Sequence, residues 1–206
     1  MEIPIAMRRD RVQGAITLVV ACAVVMAVPV CDVVAVSQAS RTVQDANKQL
    51  TITIPAAWQV QSPSGNITLK ATAPTTSHAL PDSVDVVVHG LLPGVNNAQS
   101  CIQEAEWVTQ HFGHVNFTTL GSGPVTVGGL PAYSHTYVWK ASTGESRWSF
   151  QVCIVQQATG FVLTGTTGNT SGLPTRAAVL RQVINSIRIS AKLPAPPTKV
   201  TNPGGG

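Results

Sequence analysis

Few side chains in this sequence could do chemistry, and their spacing limits what they can do. Of four cysteines, Cys22 and Cys31 fall inside a long apolar run, which leaves Cys101 and Cys153 for the rest of the chain. An even pair in an oxidising compartment is the usual setting for a disulfide; the other reading is two buried thiols acting as small hydrophobes. His111 and His114 stand three apart with Gly113 between them. A zinc site needs three or four ligands, so no metal is expected there. His135 lies among Tyr133, Tyr137 and Trp139 and reads as a packed or rim histidine. Gly121-Ser122-Gly123 runs through Pro124 into a strand, whereas a nucleophile elbow is Gly-x-Ser-x-Gly at a strand-to-helix turn. Glu104 and Glu106 are two apart on a helical pattern and face different ways. No glycine-rich loop opens a helix to cradle phosphate. No catalytic residue, metal ligand or cofactor is therefore assigned. Four tryptophans, Trp58, Trp107, Trp139 and Trp148, line either a pocket or the core. The candidate binding surface is Trp58, Tyr137, Trp139 and Trp148. Asn66, Asn116 and Asn169 each open a glycosylation sequon, which matters only in a source with that machinery.

The elements that must position these residues centre on a three-strand meander, Ala132–Lys140, Ser146–Gln157 and Gly160–Thr167, joined by short turn-rich loops. Period-two alternation sets Tyr133, His135, Tyr137 and Trp139 apart from their neighbours, and Trp148, Phe150, Val152 and Ile154 apart from Ser149, Gln151 and Cys153. One sheet face is expected to be aromatic and large, the other small and mixed, with helices able to cover both. Leu50–Ile54, Ile67–Ala73, Val84–His89 and Pro124–Val127 read as further strands. Asn96 or Asn97 caps a helix running to Phe112, with Ala98, Cys101, Ala105, Val108 and Phe112 on its apolar stripe. Pro174 opens a second helix with a stripe of Ala177, Leu180, Val183, Ile184 and Ile187. If Cys101 and Cys153 bond, the first helix covers the small face, and the aromatic face is left for the second helix or a partner.

Length and charge bound the rest. The chain has 206 residues, 11% of them charged, and a formal charge of +4. The basic residues are scattered, where nucleic-acid binding shows them clustered, so no nucleic-acid partner is expected. Arg8, Arg9 and Arg11 precede residues 12–36, an apolar segment interrupted only by Asp32. About 20 such residues suffice to cross a bilayer core as a helix, with the basic end cytoplasmic. The segment is read as a single-pass anchor, as a secretory signal cut after Ala39, or, through Val19-Val20-Ala21-Cys22, as a loose lipobox with Cys22 lipidated. Each reading puts the remainder outside the cytoplasm. Residues 1–11 are then a cytoplasmic basic terminus, 37–49 a linker, 50–190 the domain, and 191–206 a Pro/Gly-rich disordered tail.

Three stretches carry a resemblance: Ile54-Pro-Ala-Ala-Trp58, Val127-Gly-Gly-Leu-Pro-Ala-Tyr-Ser-His-Thr-Tyr137, and the amphipathic Leu180–Ile189. In this order they resemble the PsbP-like superfamily, and within it the actinobacterial LpqN-type lipoproteins and DcrB-type proteins, over about Leu50 to Ile189. The resemblance implies an α+β fold, an antiparallel sheet flanked by helices, and no reaction; members are mostly binding or assembly factors or uncharacterised. The expectation is a non-catalytic domain at the cell envelope, tethered through residues 12–36 or secreted, that binds an envelope protein or a small ligand. The alternative is a hydrolase-like envelope enzyme whose catalytic groups meet only in the fold.

Overall fold

The computed structural model describes residues 39–75, 81–112, 115–168 and 172–190, all within one unit, Ser37–Gly206. In chain order these form β1 (Ser40–Gln44), β2 (Leu50–Pro55), β3 (Gln59–Gln61), β4 (Ile67–Thr72), β5 (Ser83–Gly90), α1 (Ala98–Phe112), β6 (Val115–Val127), β7 (Leu130–Lys140), β8 (Ser146–Gln156), β9 (Thr159–Thr167), α2 (Leu173–Asn185) and β10 (Arg188–Ile189). The segment 12–36, the tail 191–206, His114 and Asn169 lie outside the described residues. Among the described residues no helix is long and apolar enough to cross a membrane.

The meander sits inside a seven-stranded antiparallel sheet of order β3-β4-β5-β9-β8-β7-β6. A smaller sheet, β1-β2-β10, completes the domain. Ser40–Gln44 was expected within a linker; it pairs with β2 instead, Val43 opposite Ile52. Its alternation is nearly all polar, because only Val43 of the five residues is even half-buried, so it carries no amphipathic signal. The short strand expected at Pro124–Val127 extends back to Val115 through register shifts beside Thr118 and Gly121. Such irregularities interrupt the side-chain period by which a strand is read.

The pairing corrects the expected faces. Lys140 pairs with Ser146, so Tyr137 stands opposite Ser149 and Val138 opposite Trp148. Five residues separate the two strands, and an odd loop places residues of equal parity together; a one-residue difference would reverse every side chain. The aromatics of β7 therefore share a face with Ser149, Gln151 and Cys153, and those of β8 point to the other side.

On the Trp148–Phe150 side the core comprises Leu50, Ile52 and Ile54 of β2, Val152 and Ile154 of β8, Leu163 of β9, and Leu180 and Ile184 of α2, all under 2% exposed. Gly165 lets α2 approach: a Cβ there would lie 3.2 Å from both Leu180 and Ile184. Gly128, at φ 60°, turns the chain where a Cβ would overlap the carbonyl oxygen of Ile187, so the glycine pair before β7 is a docking point for the end of α2.

On the other side α1 lies over β7 and β8. Asn97 caps it, its Oδ1 accepting from the Ser100 amide at 2.9 Å. Cys101 bonds to Cys153 with 6.1 Å between the Cα atoms. The helix thus covers the cysteine face, as expected from the paired cysteines, and α2 covers the opposite one.

Candidate functional site

α1 is fastened over β7 and β8 and reaches the near side of β9, where Cys101 and Ile102 bury Val162; beyond that edge, toward β5 and β4, the same face is only partly covered. A cleft of about 560 Å³ occupies this place. Its floor is Val162 and Thr164 of β9, Val87 of β5 and Thr68 of β4; its helical wall is Glu104, Ala105 and Val108. The volume is that of a small-molecule or side-chain pocket. Val108 was expected on the buried stripe of α1, yet it is 46% exposed, since the sheet it would cover is the cleft.

The floor is polar in an ordered way. Gln151 Nε2 donates to Thr164 Oγ1 at 3.1 Å. Beyond the cleft lining, on the same sheet face, Ser149 and Thr166 share a hydroxyl bond of 3.0 Å. Beside them Lys70 Nζ lies 3.2 Å from Asp85 Oδ1. Burial pushes the Asp85 carboxyl above its usual range, and the Lys70 ammonium partly offsets this.

The four candidate aromatics do not meet in one place. Trp58 and Trp148 belong to the core on the α2 side, and Arg181 of α2 caps Trp148 at 5.8 Å from the ring centre. Tyr137 is buried on the α1 side, where desolvation pushes its phenol up to about 12. Trp139 is half-buried there and donates from Nε1 to Ser149 Oγ at 3.0 Å. The four thus lie in two different layers of the domain.

The histidines divide likewise. His111 is exposed at the end of α1 and stacks on Trp107 with ring centres 4.5 Å apart. Among the described residues no three His, Cys, Asp or Glu side chains gather as for a metal. His135 is 1% exposed under α1, with Glu106 Oε1 at 3.7 Å and Thr119 Oγ1 at 3.1 Å. Both neighbours approach the same atom, Nε2. A hydroxyl–imidazole–carboxylate relay needs its two partners on opposite ring nitrogens, so this group is not arranged as one. Burial lowers the His135 pKa below 6.5, against the opposing pull of Glu106.

Glu104, Gln151, Thr164, Thr68 and Val108 were not singled out from the sequence as site residues. The available signal was Gln151: a large amide between Phe150 and Val152, in the middle of the mostly apolar strand β8.

The backbone layout can be set beside known structures. The Ran-binding protein Mog1p of Saccharomyces cerevisiae superposes with a TM-score of 0.54 and 11% identity, over 74% of this chain and 96% of that one. The cyanobacterial PsbP (CyanoP) of Synechocystis gives 0.55 and 10%, over 74% and 94%. The domain has the PsbP-like fold. LpqN, involved in cell envelope biogenesis of Mycobacterium tuberculosis, shares this fold with a TM-score of 0.52 and 16% identity, over 74% of this chain and 91% of its own. No protein-family model matches the sequence, and no curated protein matches it.

Proposed function

We propose that this chain is a non-catalytic binding domain of the cell envelope, acting outside the cytoplasm, and that the cleft beside α1 holds its partner or ligand. One observation carries the reading: a disulfide fixes α1 over part of a sheet face and leaves beside it an open cleft with an ordered polar floor. A pocket held open by a covalent tie is pre-organised, which lowers the cost of binding. The disulfide also supports an oxidising compartment, in accord with the Arg-flanked apolar segment 12–36 as an anchor or export signal. The sharing of this fold by a Ran-binding protein and an envelope-biogenesis protein supports binding or accessory work over a reaction. To test it, the chain is recovered from source-cell envelopes and weighed by native mass spectrometry. The expected result is a bound species that Val108→Trp, which fills the cleft, fails to retain. Equal retention by the folded Val108→Trp chain would overturn the assignment of the cleft.

A further inference from the structure

Two acceptor atoms at the cleft have no donor among the described residues. They are Glu104 Oε2 and Gln151 Oε1, both buried, on residues that line the same cleft. Gln151 as a whole is 5% exposed, and its amide nitrogen is already committed to Thr164. A buried acceptor without a partner is a cost that folded proteins seldom leave standing. A carboxylate has no proton to offer, so Glu104 calls for a donor. Lys70, the nearby cation of the sheet, is held by Asp85 at 3.2 Å. The same lining offers an aliphatic strip, Ala105 and Val108 on the helix and Val87 and Val162 on the floor, with His89, Asn66 and Thr109 as its further polar members.

We propose, building on the cleft as the binding site, that it takes an aliphatic ammonium, a primary amine cation on an apolar stem. The head offers three donors on a compact charge. Glu104 balances the charge and Gln151 Oε1 takes a second proton. Thr68 Oγ1, which donates to the Val86 carbonyl at 3.3 Å, keeps lone pairs for a third. The stem lies against the valines. An anion would meet the Glu104 carboxylate, and a purely apolar guest would seal both acceptors without partners. The same head is carried by a free alkylamine and by a lysine side chain of a partner protein.

The test is a ligand-detected NMR titration of the full oxidised chain with n-hexylammonium, n-hexanol and a short end-capped peptide whose one charged side chain is a central lysine. Saturable binding of n-hexylammonium is expected, with n-hexanol silent. Glu104→Gln should weaken it at least tenfold, the order lost with one charge-assisted hydrogen bond, at an unchanged unfolding temperature. Gln151→Leu repeats the test should Glu104→Gln fail to fold. Binding of the peptide as well identifies a lysine side chain as the source, and binding of the amine alone identifies a free amine; either supports the ammonium. Equal affinity for n-hexanol, undiminished binding by Glu104→Gln, or silence of both charged probes overturns it. None of these three results touches the cleft itself, whose assignment falls only if the Val108→Trp chain retains the cellular species.

Discussion

His135 is the residue whose surroundings say most about how the α1 side of the domain is built. It is enclosed by Glu106, Thr119, Phe117 and Tyr137, and desolvation keeps the ring neutral by lowering its pKa below 6.5. A folded pKa below the unfolded one means that the stabilising contribution is complete above about pH 6.5, the unfolded value, and is lost as pH falls toward the folded pKa. Urea midpoints from pH 7.5 to 4.5 should therefore fall more steeply for the natural chain than for His135→Phe. The Glu106→Gln variant should fall more steeply still, since it removes the charge that favours the imidazolium. Parallel curves for all three would contradict a buried neutral histidine. From sequence this residue reads as packed or at the rim, because aromatic neighbours flank it at a period of two; its 1% exposure decides for packed. Its carboxylate neighbour was not legible, since Glu106 reaches it from another element.

At the scale of elements the sequence was informative within each strand and uninformative between strands. The meander and both helices fall close to where period and caps place them: Asn97 caps α1, and the expected stripe of α2 supplies Leu180, Val183, Ile184 and Ile187 to the core. The pairing of faces was misread, because alternation fixes which side chains of β7 go together and the parity of the hairpin fixes which of β8 they join. The cleft was illegible for a related reason. Val87 and Val162 look the same in sequence whether a helix covers them or not, and the reach of α1 depends on where it is fastened. That fastening is the disulfide, whose cysteines are 52 residues apart. Closing such a loop stabilises by up to about 4 kcal/mol in the chain-entropy model. Cys101→Ala with Cys153→Ala should lower stability by about 2–4 kcal/mol, read from the urea midpoint together with an m-value that rises as the unfolded chain loses its cross-link. Free-thiol counting on the denatured, unreduced natural chain should find neither Cys101 nor Cys153. Two free thiols from this pair would sink the bridge.

The whole molecule joins an apolar, Arg-preceded segment to a domain of the PsbP-like fold with a disulfide and a partly covered sheet face. Binding at the envelope requires the domain to be exported. A reporter that is active only outside the cytoplasm, fused after Gly206, should be active in the source cell, and removal of residues 12–36 should silence it. Activity of a cytoplasm-restricted reporter at the same position would place the domain on the wrong side. The central claim is that the cleft, rather than the opposite face, is where the exported domain meets its partner or ligand. The most direct measurement is photo-crosslinking in intact source cells, with a photoreactive amino acid placed at Thr68 on the cleft floor or at Gln182, exposed on α2. An adduct is expected from Thr68 that disappears in the Val108→Trp background, with none of the same mass from Gln182. The same adduct from both positions, or from Gln182 alone, would contradict the claim.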